Sequence, residues 1–292
     1  MHKYLRSIGF SNMRHKSNAK RIIDEILLYP DSKYTYEYET GQVLHQFEKY
    51  FGEDIGLSLV GEWGEGACPE IDYFYPILNV QDYTTLAPVE IEPISDRDGF
   101  YGIAEDNRVE ISLIFNVQNI VHAKNKIVNS KTTSFKTPIM LYGLSLGGKV
   151  LFSVTKNENQ IKNSKRRSET RSRMVGLARQ GNEQAMESLT LSDIDTYTEV
   201  ARRIVREDVF SVVDSFFMPY GVESDKYSIL GDIISVKEIS NPLTGEELYS
   251  MILVCNEMKI KICINKQDLL GEPKVGRRFK GNIWLQGNVS FE

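Results

Sequence analysis

The sequence has few cysteines and lacks any long apolar segment. Its 292 residues include three cysteines, Cys68, Cys255 and Cys263, which form no C-x-x-C pair and no even-numbered disulfide framework. Cys255 and Cys263 lie in apolar stretches, as is typical of small buried hydrophobic residues. No stretch approaches the roughly 18 consecutive apolar residues that span a bilayer, and the N-terminus carries no run typical of a signal peptide. We therefore expect a cytoplasmic protein in a reducing compartment with no membrane partner.

The chain is mildly acidic, with nearly equal numbers of basic and acidic residues. The chain has 35 Lys and Arg against 40 Asp and Glu, a formal net charge of −5, with 41% hydrophobic residues. These values argue against a surface built throughout for phosphate backbones, although a local basic face stays open. The length suits about two domains of ordinary size, each with its own core.

The spacing of the apolar residues changes along the chain and predicts an α+β fold. Residues 17–30 place apolar side chains at helical intervals, a strand pattern follows, and 42–51 is predicted as a short helix. Most of 55–155 has the character of strands. We therefore expect residues 1–160 to form an antiparallel-rich N-terminal α+β domain, with its early helices packed on the sheet.

The middle and the end of the chain differ from this first part. Residues 156–180 contain eight Lys and Arg against two Glu and are predicted to be a linker or an exposed loop. Asn182 and the segment 192–195 are candidate helix caps, so 161–222 is expected to be a basic linker and helical section. Four short strands predict a small C-terminal β-barrel-like domain or sandwich over 223–292. They are predicted at 227–236, 248–255, 259–264 and 277–285.

One motif literally matches the nucleophile pattern G-x-S-x-G, at Gly143, Ser145 and Gly147. The chemistry of that pattern requires a sharp turn from a strand into a helix, whereas 149–154 has a strand pattern. The four histidines all precede Ser145, whereas the hydrolase order places the histidine after it. We therefore interpret the motif as a β-hairpin, and a hydrolase using Ser145 is the least favoured of three hypotheses.

No other constellation predicts catalysis, a metal or a cofactor. The histidines show no paired spacing, and no P-loop or G-x-G-x-x-G follows a strand. Two acidic clusters match no calcium loop and are interpreted as solvated turns. Their members are Glu62, Glu65, Glu70 and Asp72, and then Glu90, Glu92, Asp96 and Asp98. We predict no catalytic residue, no metal site and no cofactor.

The last predicted strand suggests a surface for single-stranded nucleic acid. Alternation would point Phe279 and its neighbours inward and place Arg278, Lys280 and Trp284 on the outer face. Cations for phosphates and an aromatic ring for base stacking are the ingredients of such sites. Arg166 and Arg167 of the basic segment would assist. The alternative is that the charges solvate an exposed strand while Trp284 packs against the helical section.

Several stretches together resemble a family of bacterial hypothetical proteins that carries only a domain-of-unknown-function label. These stretches are 1–10, 187–197, 216–221 and 263–287. The resemblance spans nearly the whole chain and is poorest over 156–173. It implies a full-length family member, bacterial and cytoplasmic, and it supplies no activity, cofactor or catalytic residue.

Three hypotheses about function follow. The first is a non-enzymatic interaction or regulatory protein that binds another protein, since no catalytic constellation assembles in the sequence. The second is single-stranded nucleic-acid binding through the C-terminal β domain, which predicts salt-dependent affinity. The third is the Ser145 hydrolase. The sequence leaves the oligomeric state open.

Overall fold

A computed structural model describes residues 2–12, 16–64, 66–95, 97–154, 158–205 and 208–291. The fold is mixed α+β and rich in antiparallel sheet. The helices are α1 (Lys16–Leu28), α2 (Ile120–Ser130), α3 (Glu158–Arg179), α4 (Glu183–Ile204) and α5 (Val209–Val212), with 3-10 helices at Lys3–Ile8 and Lys266–Asp268. The strands are β1 (Ser32–Glu37), β2 (Gln42–Tyr50), β3 (Ile55–Gly64), β4 (Tyr73–Leu78), β5 (Thr85–Pro93), β6 (Phe100–Ala104), β7 (Leu113–Val117), β8 (Ser134–Leu151), β9 (Phe216–Pro219), β10 (Lys226–Ser240), β11 (Glu247–Cys255), β12 (Met258–Asn265), β13 (Leu269–Leu270) and β14 (Arg278–Val289).

The first four strands form an antiparallel sheet in the order β1-β2-β3-β4. Alternating exposure along β1 confirms the strand predicted to follow the first helix, and its three partly buried positions include Tyr34 and Tyr36. Helix α1 packs against β2 and buries Ile22 and Ile26. The segment 42–51, predicted as a helix, is β2 instead. That prediction was wrong because β2 is covered on both faces, so Leu44 to Phe47 are all buried and the alternation of a half-exposed strand is missing.

The remaining ten strands form one sheet around two long strands, β8 and β14. Strand β14 runs antiparallel to β8 from Arg278 opposite Leu151 to Val289 opposite Ile139. One circuit of pairings leads from β8 through β12, β11 and β10 to β14. A second leads from β8 through β5, β6 and β7 to β14. The two circuits therefore share the β8–β14 pair.

A buried polar layer joins the two sheets. Gln46 of β2 is fully buried and donates to the Gln118 carbonyl at 2.7 Å, and Tyr75 donates to the same carbonyl at 3.1 Å. Gln286 of β14 donates to the Pro76 carbonyl at 3.0 Å. The amide and hydroxyl side chains thus provide hydrogen-bond donors for backbone carbonyls that the strand pairing does not satisfy.

The G-x-S-x-G segment lies within β8, which continues from Ser134 to Leu151 without a turn. The predicted hairpin across residues 147 and 148 was therefore wrong. Gly143 and Gly148 make room for neighbouring side chains, and neither forms a turn. A Cβ at Gly148 would overlap the ring of Phe279, and one at Gly143 would lie 2.8 Å from Ile262 and from Ile283.

The basic segment predicted as a linker or loop is helix α3 over its described part. Its long polar side chains are good helix formers although they give no apolar period, which is the signal that the prediction relied on. Asn182 caps α4 as predicted, and its side chain accepts from the Ala185 amide at 2.9 Å. The second cap at 192–195 was wrong, because α4 continues through it. Toward the end of the expected helical section, the chain forms only the short α5 and then β9.

All four C-terminal strands are confirmed, as β10, β11, β12 and β14. They pair with β7, β8 and β9 as well as with each other. The predicted domain boundaries at 160 and 222 stay predictions. None of the helices in the described ranges has the length and apolar character needed to cross a membrane.

Candidate interaction surface

Arg278, predicted to lie on an exposed basic row, is only 4% exposed. Its guanidinium donates to three backbone carbonyls, those of Phe152 at 3.0 Å, Val213 at 3.0 Å and Phe210 at 2.6 Å. The expected outward orientation was wrong because the α5 segment covers this end of β14. Arg278 fixes that segment to the end of β8.

Trp284 is likewise buried, with 4% exposure. Its ring lies 4.3 Å from that of His2 and 5.2 Å from that of Tyr4, and its Nε1 donates to Asp225 at 2.7 Å. The expectation of an exposed indole was therefore wrong. The alternative, in which Trp284 packs against the helical section, was also wrong, because the N-terminal segment covers the ring.

Two titratable groups beside Trp284 have shifted proton affinities. Burial, aided by Arg97 and Lys3, lowers the pKa of His2 to about 4. Burial and the neighbouring Lys3 lower the pKa of Lys226 to about 8. Groups with shifted pKa values mark functional sites in some proteins, and structural networks in others. Here Asp225 accepts from Trp284 and from Asn116, whose amide donates at 2.6 Å, so the groups around the indole form a structural network.

Three of the five residues predicted to bind nucleic acid keep accessible side chains. Lys280 is partly exposed, and its ammonium lies 5.5 Å from the ring centre of Phe210. Arg166 and Arg167 are exposed on α3, on a different element from β14. The structure thus separates the predicted set into two anchors, Arg278 and Trp284, and three accessible cations.

Ser145 is fully buried in β8. Its hydroxyl donates to the carbonyl of Asn282 in β14 at 2.8 Å. The strand geometry does not lift this hydroxyl out on a strand-to-helix turn, as a nucleophile elbow would. The hydroxyl instead occupies the position of a missing ladder bond where the β8–β14 register shifts, between Gly281 and Ile283.

Helices α3 and α4 form an antiparallel hairpin that lies between β8 and β9 in the sequence. Gly181 turns the chain with a φ of 85°, and Asn182 caps the second helix. The turn end is fixed to the body by the Arg179 guanidinium, which contacts Glu105 at 3.0 Å and the Val109 carbonyl at 3.2 Å. Val175 and Ala185 are buried near this end.

Helix α4 exposes an apolar stripe along much of its length. Met186, Leu191, Ile194 and Tyr197 are 44%, 58%, 58% and 77% exposed. At 100° per residue these four positions fall within about 140° of the helix circumference. The stripe was not predicted from the sequence, because the cap expected at 192–195, which does not form, would have divided this helix. The apolar period from 186 to 204, followed as one helix, was the available signal.

A cleft with a volume of about 460 Å³ lies between the β3–β4 end of the small sheet and β12. Two of the charged groups that line it are paired: Lys261 contacts Asp54, and it also donates to the Asn79 carbonyl at 2.7 Å. Across the described ranges, no group of three His, Cys, Asp or Glu could hold a metal. Glu65 and Asp96 of the predicted acidic clusters lie outside those ranges. Glu90 and Glu92 lie exposed on β5 rather than in a turn.

Comparison with known proteins gives one match. A family model described as "Domain of unknown function, E. rectale Gene description (DUF3881)" matches residues 5–287. No curated protein and no solved structure matches the chain. The resemblance inferred from four stretches of the sequence is thereby confirmed.

Proposed function

Since the chain belongs to this family of unknown function, we propose its function from its surface: it is a non-enzymatic interaction protein that binds a protein partner through the α3–α4 hairpin. The observation that carries the proposal is the exposure of Ile194 at 58% and Tyr197 at 77% on a single helix face. A cytoplasmic setting, as expected from the sequence, belongs to the same proposal.

Physical chemistry favours a covered stripe over a solvated one. Contiguous exposed apolar side chains on one element mark interaction sites, whereas single exposed apolar residues need no explanation. A helix gains most of its stability from packing one amphipathic face, because isolated helices are marginal in water. Tyrosine is also enriched at the centres of interfaces. The end of α4 that is far from the turn therefore has the composition of a protein–protein interface.

The test compares the wild-type chain with an Ile194→Gln/Tyr197→Gln variant as affinity baits in lysate of cells that naturally express the chain. Glutamine is a good helix former, so α4 should persist and circular dichroism should be unchanged. We expect proteins retained by the wild type and lost by the variant. The matched control is Tyr83→Gln/Leu270→Gln, which removes two exposed apolar side chains elsewhere, 57% and 73% exposed. Equal retention by all three baits would contradict the proposal.

Single-stranded nucleic-acid binding is a second candidate, and the exposure of Arg166 and Arg167 favours it. In this version β10, β11, β12 and β14 form the small barrel expected from the sequence over 223–292, completed by β8, with Lys280 on its surface. A test on Arg278 or Trp284 would confuse binding with folding, because both are buried. The suitable variant is Arg166→Ala/Arg167→Ala/Lys280→Ala. Its anisotropy titration against labelled single strands should lose affinity and salt dependence if this candidate holds.

A further inference from the structure

Strand β1 forms an open edge of the small sheet. Within the described ranges it pairs with β2 alone. The strand at the other end of that sheet, β4, lies against the large sheet, where Gln286 donates to the Pro76 carbonyl at 3.0 Å. An edge strand presents a row of backbone groups that can hydrogen-bond to another extended segment. The edge of β1 is therefore a place where a further strand can be added.

The hydrogen bonds of the β1–β2 turn fix which backbone groups of β1 face the open edge. Tyr38 donates its amide to the Gln42 carbonyl at 2.9 Å. Along an antiparallel pair, residues that bond to the partner strand alternate with residues whose amide and carbonyl point the other way. The even-numbered residues of β1 therefore bond to β2. The amides and carbonyls of Lys33, Thr35 and Glu37 point outward, and no loop or turn of the described ranges bonds to them.

The pairing of β2 with β3 gives the same alternation. Phe51 donates its amide to the Ile55 carbonyl at 2.7 Å, so the odd-numbered residues of β2 bond to β3 and the even-numbered ones bond to β1. The register places the even-numbered residues of β1 opposite the even-numbered residues of β2. Two independent hydrogen bonds thus assign the odd-numbered residues of β1 to the open edge.

The outward residues are complementary to themselves about Thr35. Lys33, Thr35 and Glu37 are all exposed, and neither Lys33 nor Glu37 forms an ion pair with a residue that the structure describes. A second, antiparallel β1 centred on Thr35 places Lys33 opposite Glu37 of the second copy, and Glu37 opposite its Lys33. The two threonines then face each other at the centre. Opposite charges and facing threonines on neighbouring strands both stabilise antiparallel sheets.

The tyrosine face of β1 obeys the same symmetry. Tyr34 and Tyr36 are half-buried, and α2 holds their rings beside the edge. The ring of His122 lies 4.5 Å from that of Tyr34, and the Lys124 ammonium lies 5.8 Å from the ring centre of Tyr36. In the pairing centred on Thr35, Tyr34 of each copy faces Tyr36 of the other. Facing aromatic residues are a further favourable pair in antiparallel sheets.

We propose that two copies of this chain pair edge to edge through β1, antiparallel about a two-fold axis at Thr35. Each facing pair of outward residues then exchanges two backbone hydrogen bonds. The two four-stranded sheets become one continuous sheet, with the two β1 strands at its centre. A two-fold contact pairs one patch with the same patch, so the backbone groups, the charges and the aromatic rings must all fit one axis. In β1 they do.

A second copy fits this edge better than an unrelated peptide. Such a peptide would have to supply one acidic and one basic residue at the same spacing, which β1 itself provides. Charged residues on edge strands also protect sheets against unwanted pairing. A single sign of charge along β1 would repel a second copy, whereas Lys33 and Glu37, at equal distances from Thr35, attract it. This inference goes beyond the proposed function, because the edge of β1 and the α3–α4 hairpin are different surfaces.

Charge reversal in the full chain tests the pairing. Lys33→Glu places glutamates opposite each other at both ends of the contact, and Glu37→Lys does the same with lysines. Each single variant should raise the dissociation constant of the dimer by about 10- to 30-fold. The double variant Lys33→Glu/Glu37→Lys restores opposite charges, as does an equimolar mixture of the two single variants, so both should dimerise. Sedimentation equilibrium measures the masses, with the wild type expected at twice the 33.4 kDa of one chain.

Two further variants serve as controls. Lys20→Glu, at an exposed position of α1, changes the net charge by the same amount and should leave the dimer intact. Thr35→Pro removes the outward amide at the axis and should give a monomer. The bonds from β1 to β2 should persist in that variant, because proline is tolerated on an edge strand where the amide faces solvent. Circular dichroism of each variant checks that the fold is kept.

The outcomes distinguish this inference from the proposed function. A wild-type dimer that both single variants weaken, and that the double variant and the mixture restore, supports the edge pairing. A monomeric wild type overturns it, as does a dimer that charge reversal or Thr35→Pro leaves intact, or that Lys20→Glu weakens equally. The bait variant Ile194→Gln/Tyr197→Gln should dimerise like the wild type. Its loss of captured proteins therefore tests the hairpin alone.

Discussion

The indole of Trp284 and the carboxylate of Asp225 form a buried hydrogen bond of 2.7 Å. Asp225 is 7% exposed and also accepts from Asn116 at 2.6 Å, so two neutral donors bind the same carboxylate oxygen, Oδ2. Arg97 continues the network by donating to Asn116 at 2.9 Å. The bond links β14 to the start of β10 and to β7, and it explains why an aromatic residue predicted to face outward is held inside.

Replacing Trp284 by Phe should destabilise the fold by about 1.5–3 kcal/mol. The substitution removes a hydrogen bond to a charged group and leaves the ring stack largely in place. Urea unfolding followed by circular dichroism measures the loss. Trp63→Phe is the control, because the indole of Trp63 stacks on His45 at 3.9 Å without a comparable bond to a carboxylate. Equal losses for the two variants would contradict the role of the Asp225 bond.

Arg278→Lys should destabilise the protein although the charge is kept. A lysine ammonium lacks the planar fork that reaches the carbonyls of Phe152, Val213 and Phe210 together. We expect a loss of about 3 kcal/mol, since buried acceptors without donors cost about 1–3 kcal/mol each. Thermal unfolding of Arg278→Lys and of Lys280→Arg measures it. A loss of the same size at partly exposed Lys280 would speak against this anchoring role.

The Glu48 carboxyl makes stability depend on pH in a defined direction. Burial raises its pKa from 4.5 to about 7, against a lowering influence of the Gln46 amide, which donates at 2.9 Å. The folded state thus holds a proton that the unfolded state has released. Stability from this group is complete below pH 4.5 and is lost as pH rises to about 7, by about 3 kcal/mol. Glu48→Gln keeps the neutral form, so urea unfolding at pH 5 and pH 8 should show a smaller difference than in the wild type. An unchanged difference would reject the assignment.

Ser145 should behave as a structural hydroxyl. Ser145→Ala removes the bond to the Asn282 carbonyl and is expected to cost about 1–3 kcal/mol, because that carbonyl is left without its side-chain donor. A fluorophosphonate probe, which labels activated serines, should leave the folded wild type unlabelled, as judged by intact mass. Stoichiometric labelling that disappears in Ser145→Ala would revive the hydrolase hypothesis.

Local pattern was sufficient for β1, where exposure alternates between the two faces. The C-terminal strands are largely covered on both faces, and their short apolar runs separated by turns predicted them close to their observed bounds. Strand β2 was not predicted, because both of its faces are covered and no alternation remains. Helix α3 was not, because few of its side chains face the core and its apolar period is therefore weak.

Long-range packing determines which residues of the candidate site are exposed, and no local sequence pattern predicts that packing. Alternation correctly placed Phe279, Ile283 and Leu285 in the core. It could not show that the opposite face of β14 is also covered, at Arg278 by a segment more than 60 residues earlier and at Trp284 by the N-terminus. The exposed stripe of α4 was within reach of the sequence once the helix was taken as continuous.

The pairing of β8 with β14, which both circuits share, depends on the order in which the two strands are synthesised. Ile139 and Val289 pair although 150 positions separate them. At a synthesis rate of 5–20 residues per second, roughly 7 to 30 s pass between the synthesis of Ile139 in β8 and that of its partner Val289. Both circuits stay open during that interval, and the edge of β8 that β14 later covers presents unpaired backbone to the surroundings. A newly made chain is therefore most exposed to wrong pairing just before β14 is synthesised.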